Sequence, residues 1–186
     1  MDHLTRNVLG VVGGAALALL AAMVVLLRAC DHPSDSRLLR QFREHRVQLE
    51  ALVTMFEGDR GLTDVGQCYW AALADPSRAG VSAARLADYN RLLAAAGAHC
   101  CAADEDQPRA SATDGAAEPK DPIWIVVSAH GWVNSGSSKG FFYSDRPPSD
   151  FEVVPRLDHA SGHGSPAWTL LRHIDGPWYL YLDFHE

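Results

Sequence analysis

The sequence predicts an α+β domain attached to one N-terminal transmembrane helix, and three observations lead to this fold class. Residues 8–27 form an apolar run of twenty residues without a charge. Residues 34–56 and 82–97 carry apolar side chains at helical spacing. After Pro122 the chain changes to β-branched and aromatic segments separated by turn residues. We therefore expect two amphipathic helices packed on a small antiparallel β-sheet.

The apolar run has the length of a membrane-spanning helix. At about 1.5 Å per residue it matches a hydrocarbon core about 30 Å thick. Residues 1–7 are a polar lead, and Arg28 follows the run. A cleaved signal peptide has a shorter apolar core, and Arg28 is unfavourable in a lipoprotein cleavage site before Cys30. We predict an uncleaved single-pass anchor whose partner is the lipid bilayer, and lipidation of Cys30 stays open.

Composition indicates the cell type and excludes one class of function. Basic residues are almost all arginine, which together with abundant Ala and Gly is typical of a bacterial coding bias and places the anchor in a bacterial inner membrane. Net charge is −7, with acidic residues concentrated in residues 104–121. A nucleic-acid-binding domain needs a basic face, so we expect no nucleic-acid partner.

The side of the membrane is predicted by two opposing signals. More arginines follow the apolar run than precede it, which favours a cytoplasmic domain by the positive-inside rule. The cysteine content is easier to explain outside the cytoplasm. We expect the domain on the periplasmic, extracytoplasmic side and keep the cytoplasmic orientation open.

Residues 31–101 are predicted as the helical part of the domain. The first amphipathic helix buries the stripe Leu38, Phe42, Leu49, Leu52, Val53 and Phe56. An arginine row on its other side is either a surface for anionic headgroups or an ordinary solvated face. The second helix has Ser82 as N-cap and Gly97 as left-handed C-cap residue.

The remaining chain is predicted as a loop followed by strands. Residues 102–121 lack large apolar side chains and are predicted to be a disordered acidic loop. Residues 122–186 form the antiparallel β part of the same domain. We expect residues 135–138 to be a turn. Asp175 and Gly176 separate two apolar runs, which predicts a hairpin with alternate residues on opposite faces.

Cysteines offer one covalent link. The chain contains Cys30, Cys68, Cys100 and Cys101, without a CxxC pair. In an oxidising compartment Cys68 could pair with Cys100 or Cys101, which would add about 3 to 4 kcal/mol of stability. The alternative is that these residues are small buried hydrophobic side chains. A vicinal Cys100–Cys101 bond is strained and therefore disfavoured.

Three motifs suggest chemistry without completing a site. The segment SGSSKG, residues 135–140, lacks the P-loop pattern and has strands on both sides. Several histidines of the β part could converge on zinc, but no HExxH helix fixes two of them: His130, His159, His163, His173 and His185. Ser128 and His130 share a face of a strand, but no GxSxG motif accompanies them. We predict no catalytic residue, metal ligand or cofactor site.

The chain resembles a group of small uncharacterised bacterial membrane-anchored proteins. The resemblance lies in the helix with Ser82, Arg85, Tyr89 and Leu92, in SGSSKG followed by FFY, and in RHI followed after three residues by WYLY. It implies an anchored α+β architecture and no particular activity.

Together these observations favour a non-enzymatic, single-pass membrane-anchored interaction module with an unknown protein partner in addition to the bilayer. Lys139, Tyr143, Arg172 and Tyr181 are predicted as its contact surface. One alternative is a ligand-binding or enzymatic domain that uses the SGSSKG segment and nearby histidines. Another is a thiol redox sensor built on Cys68, Cys100 and Cys101.

Overall fold

In the part of the chain that the structure describes, two helices lie on one face of a seven-stranded, mostly antiparallel sheet. The computed structural model describes residues 32–59, 62–66, 80–103, 122–132, 135–146, 148–158, 160 and 167–185. The elements in this part of the chain are α1 (Asp35–Gly58), β1 (Asp64–Gly66), α2 (Ala83–Ala96), β2 (Cys100–Ala103), β3 (Ile123–Trp132), β4 (Ser135–Tyr143), β5 (Glu152–Val153), β6 (Ala167–Asp175) and β7 (Trp178–His185). The predicted α+β class is confirmed.

The sheet has the strand order β1-β2-β3-β4-β7-β6-β5. Neighbouring strands run antiparallel, except that β5 runs parallel to β6. Strand β1 and the first two residues of β2 lie within residues 31–101, so the part predicted to be helical also supplies one edge of the sheet. Residues 102 and 103 belong to β2, whereas the rest of the predicted acidic loop, residues 104–121, lies outside the described residues.

Helix α1 buries the stripe that the apolar spacing predicts. The Ser34 hydroxyl accepts a hydrogen bond from the Arg37 amide and caps the first turn. All six predicted core residues are buried, and Asp35 is buried with them. The helix ends at Gly58, and its backbone leaves the helical region at His45, where φ is −121°.

Helix α2 has both predicted caps. The Ser82 hydroxyl accepts a hydrogen bond from the Arg85 amide, and Gly97 adopts φ 65° as the left-handed C-cap residue. The two helices meet through Tyr89 and Phe56, whose ring centroids are 6.4 Å apart.

The sheet is buried on both faces, which explains its nearly continuous apolar strands. On the helix side, the Phe42 ring packs against Phe141 and Trp178 at centroid distances of 6.0 and 5.4 Å. On the opposite side lies an aromatic cluster made of Trp124, Phe142, Phe151, Tyr179 and Tyr181. Phe151 covers this cluster from the loop before β5.

Strand β4 begins earlier than the sequence predicts. Residues 135–138, predicted to be a turn, pair with β3, and residues 136–138 also pair with β7. The β3–β4 register shifts between Val126 and Ser128, which marks a β-bulge. Gly140 lies opposite this irregularity, and a Cβ atom there would collide with the Ile125 carbonyl oxygen. Close backbone approach therefore requires glycine at this position.

The hairpin predicted at Asp175 and Gly176 is confirmed, with β6 and β7 joined there and Gly176 at φ 54°. Trp178, Leu180 and Leu182 face the helices, whereas Tyr179 and Tyr181 face the opposite side, as the alternation predicts.

The predicted membrane segment, residues 8–27, lies outside the described residues. Among the helices that the structure does describe, none is both long and apolar enough to cross a bilayer.

Candidate functional site

The most unusual group of side chains is a set of charges between the first turn of α1 and the sheet. Asp35 and Lys139 are 2 % and 3 % exposed, although charged residues are rarely buried unless they are paired. Asp158 and Arg172 contact them from the loop after β5 and from β6. We call these four residues the charge cluster: Asp35, Lys139, Asp158 and Arg172.

The four residues are joined to one another by short ion-pair contacts. Lys139 Nζ lies 2.8 Å from Asp35 Oδ1 and 3.0 Å from Asp158 Oδ1. Arg172 Nη1 lies 2.8 Å from Asp35 Oδ2. Two carboxylates and two cations meet, so the cluster is formally neutral, as a buried group of charges must be to limit the cost of desolvation.

Backbone groups join the cluster to two further segments. The Leu157 amide donates a hydrogen bond of 2.8 Å to Asp35 Oδ2. The Asp35 amide in turn donates one of 2.8 Å to Asp158 Oδ1. An amide in the first turn of a helix has no partner within the helix, so Asp158 satisfies a group that would otherwise be buried alone. The loop after β5 is therefore tied to the start of α1.

The environment of Asp35 favours its charged form. Burial raises the pKa of this carboxyl, but hydrogen bonds from Lys139, the Leu157 amide and Arg172 outweigh burial and lower the pKa to about 2. The position of Asp35 in the first turn also places it near the positive end of the helix dipole. Asp35 is thus held as a carboxylate at neutral pH, bonded to its neighbours instead of poised to exchange a proton.

Strand register places Lys139 at the centre of the helix-facing side. Its partners across the sheet are Ser128 on β3 and Leu182 on β7. Because Phe141 two residues later lies in the core under α1, Lys139 shares that face by the period of two in a strand.

Ser128 and His130 are the described residues closest to a catalytic pair. Ser128 Oγ lies 3.1 Å from His130 Nε2, on the same side of β3. This geometry suits a nucleophile and its base. The carboxylates of the charge cluster, Asp35 and Asp158, bind Lys139 and Arg172.

The predicted contact surface is corrected by burial. Lys139 is buried, and Tyr181 is only 1 % exposed on the opposite side of the sheet, against Trp124 at 4.9 Å. Tyr143 packs on Trp178 at 5.0 Å and donates a hydrogen bond to Asp145. Burial and this bond raise the pKa of Tyr143 to about 12. Tyr143 and Arg172 are partly exposed, but Lys139 and Tyr181 are buried on opposite sides of the sheet, so the four residues do not form one exposed surface.

A second polar contact fixes the other end of α1. The Tyr89 hydroxyl donates a hydrogen bond of 2.8 Å to Asp59, the C-cap residue of α1, and Arg85 Nε lies 2.8 Å from the same oxygen. Burial raises the pKa of Asp59, but the hydrogen bonds from Arg85 and Tyr89 outweigh burial and leave this pKa below its usual value. Helix α1 is therefore held by carboxylates at both ends.

The metal and redox hypotheses can be compared with those histidines and cysteines that the structure describes. Within the described residues, no group of three His, Cys, Asp or Glu side chains could hold a metal ion, while His159 and His163 lie outside those residues. Cys100 is disulfide-bonded, and Cys101 is a buried thiol. Cys68 and Cys30 lie outside the described residues.

Sequence reasoning did not find Asp35 and Asp158 as members of the cluster. One signal was present for Asp35, which precedes Leu38 by three residues and Phe42 by seven and so lies on the apolar stripe. An acidic residue on a buried stripe needs a cation, and the chain has only two lysines, Lys120 and Lys139.

Comparisons with protein-family models, with curated proteins and with solved structures find no match to this chain. Its function is therefore inferred from its own fold and charge cluster.

Proposed function

We propose that this protein is a non-enzymatic, single-pass membrane-anchored module whose folded domain docks on the surface of its own membrane. The exposed arginines of α1 carry the docking, and the non-enzymatic part of the proposal rests on the charge cluster. Its four charged groups are paired with one another beneath the start of α1, which suits a structural role. Asp35 follows the apolar run by only eight residues, so the folded domain begins a short length of chain after the anchor.

The docking surface in this proposal is the outer face of α1. Arg37, Arg40 and Arg43 are exposed or partly exposed there, and none of them has an ion pair with another described residue. Val47, one turn further on, is 75 % exposed. With one exposed carboxylate, Glu44, on the same face, these three cations still leave a net positive charge beside an exposed apolar side chain, which suits the boundary between anionic headgroups and acyl chains.

Charge complementarity selects the lipid surface as the partner. The chain as a whole carries a net charge of −7, so an exposed basic stripe differs from the rest of the protein. Each basic residue near an anionic bilayer contributes about 1 kcal/mol. Because the stripe begins ten residues after the apolar run, the membrane that holds the anchor is also the nearest anionic surface.

Site-specific photocrosslinking tests this docking. A benzophenone amino acid replaces Val47 in full-length protein reconstituted in phosphatidylcholine vesicles with and without phosphatidylglycerol. Val153 is the matched control, because it is also an exposed valine, 50 % accessible, at the sheet edge. We expect lipid adducts at position 47 that depend on phosphatidylglycerol and fall in 1 M salt, where the screening length is about 3 Å.

Equal lipid adducts at positions 47 and 153, or adducts at 47 that do not change with salt, contradict the docking surface. Adducts to a second protein would assign the face to a protein partner instead. The anchor is tested separately. Full-length protein should stay in the membrane during carbonate extraction, and deletion of residues 8–27 should release it.

A hydrolytic function is the second candidate, and the 3.1 Å contact between Ser128 and His130 is the observation that favours it. A fluorophosphonate probe forms a covalent bond with an activated serine. Labelling of the full-length protein that is lost in Ser128→Ala would support this function over the module. Absence of labelling, with a serine hydrolase labelled in parallel, would favour the module.

A further inference from the structure

The two adjacent cysteines of β2 have different chemical states. Cys100 is disulfide-bonded, whereas Cys101 is a thiol. Successive strand residues point to opposite faces. Cys101 accordingly lies in the helix-facing core, and Cys100 packs with Ala102 and Val126 on the other side.

We infer that the disulfide partner of Cys100 is Cys68. The chain has four cysteines, and since Cys101 is a thiol, Cys30 and Cys68 remain. Cys30 is separated from the described strands by the whole of α1 along the chain. Cys68 follows β1 by two residues, and this short distance along the chain decides between them.

Strand register places the end of β1 beside Cys100. Gly66 is the residue of β1 directly opposite Cys100, and opposed Cα atoms in antiparallel strands are about 4.5 to 5.5 Å apart. Two further residues reach at most about 7 Å from Gly66. A disulfide requires Cα atoms about 4.4 to 6.8 Å apart, a separation that a chain of this length starting at Gly66 allows.

Formation of the bond indicates the compartment. The thiols of Cys68 and Cys100 lose two protons and two electrons and form one S–S bond, while the disulfide of a thiol oxidoreductase is reduced to two thiols. Such bonds persist in the periplasm and outside cells and are rare in the cytoplasm. The bond therefore assigns the folded domain to the extracytoplasmic side.

Cys101 does not compete for this bond. Burial raises the pKa of its thiol, and the thiolate is the form that attacks a disulfide. Its side chain also lies on the other face of β2 from Cys100. The bond is thus a stable crosslink and not one half of a redox switch between neighbouring cysteines.

Peptide mapping of full-length protein from membranes tests the inference. Free thiols are blocked with iodoacetamide under denaturing conditions, and the protein is digested with trypsin without reduction. Cleavage at arginine gives peptides 61–78, with Cys68, and 92–109, with Cys100 and Cys101. We expect these two peptides joined, with one carbamidomethyl group on the second of them.

Two variants identify the sulfur atoms. Cys101→Ala should retain the joined peptide, and Cys100→Ser should lose it. A link from peptide 92–109 to peptide 29–37, which contains Cys30, would overturn the assignment, as would carbamidomethylation of both Cys100 and Cys101.

A bacterial strain without periplasmic thiol oxidation tests the compartment. The bond should be absent there while the protein still fractionates with the membrane, and an unchanged bond would overturn the extracytoplasmic assignment. Failure of the disulfide and failure of the membrane anchor are therefore distinguishable in one preparation.

Discussion

Lys139 Nζ lies 2.8 Å from Asp35 Oδ1, and each of these two side chains is only 3 % exposed. The pair joins the middle of the sheet to the first turn of α1. Two charges taken out of water lose favourable hydration, and their attraction offsets this loss only while both remain. Loss of one member of the cluster should therefore destabilise the fold more than loss of one member of an exposed ion pair.

Replacement of Lys139 should be strongly destabilising. Lys139→Met keeps the apolar stem but leaves Asp35 and Asp158 without their shared cation, which should lower the free energy of unfolding by about 3 to 5 kcal/mol. Urea unfolding of the full-length protein in detergent, followed by tryptophan fluorescence, measures the loss. Arg43→Met, on the exposed face of α1, is the matched control and should change stability by less than about 0.5 kcal/mol. Similar losses in both variants would contradict a structural role for Lys139.

Stability should fall in acid because of Asp35. The folded-state pKa of about 2 is below the ordinary value of 3.8, so this group contributes stability above pH 4 that is lost as the pH falls toward 2. The contribution is about 2 kcal/mol. Unfolding free energies measured between pH 6 and pH 2 should decline less steeply in Asp35→Asn, which cannot ionise. Parallel declines in the two proteins would argue against a depressed pKa at Asp35.

Gly140 should not tolerate a side chain. A Cβ atom there meets the Ile125 carbonyl oxygen across the β-bulge, so Gly140→Ala should cost about 1 to 3 kcal/mol through overpacking and disturb the neighbouring Lys139. Gly58→Ala is the control, since a Cβ atom at Gly58 has nothing within 4 Å. The midpoints of thermal unfolding of the two variants are compared. An unchanged midpoint for Gly140→Ala would contradict this expectation, because β3 and β4 would then accommodate the Cβ atom without loss of stability.

Reduction should destabilise the domain if Cys68 and Cys100 are bonded. The bond would close a loop that contains α2, and in the chain-entropy model a loop of this size is worth about 3 to 4 kcal/mol. The unfolding midpoint should therefore fall on reduction in the wild type and in Cys101→Ala but stay constant in Cys100→Ser. A midpoint that does not respond to reductant in the wild type would show that the disulfide does not stabilise the domain.

Local patterns predicted the helices and the last hairpin well, because their determinants are close in sequence. The stripe from Leu38 to Phe56 follows from helical periodicity, and Ser82 and Gly97 mark the ends of α2 by their backbone preferences. The Asp175–Gly176 turn and the alternation of β7 are equally local.

The charge cluster depends on contacts that no local pattern records. Asp35 is separated from Asp158 by 123 residues and from Arg172 by 137. Lys139 looked like a turn residue because the small residues before it suit a turn, yet those residues belong to a strand between β3 and β7. Lys139 and Tyr181, two of the four residues predicted as a contact surface, are buried for the same reason, because strands distant in sequence surround them.

A double-mutant cycle between Asp35 and Lys139 tests whether the cluster holds α1 on the sheet. Free energies of unfolding are measured for the wild type, Asp35→Asn, Lys139→Met and the double variant at neutral pH. We predict a coupling of about 1 to 3 kcal/mol, with the double variant less destabilised than the sum of the single changes. Losses that add to within about 0.5 kcal/mol would contradict this role, because the two residues would then stabilise the fold independently.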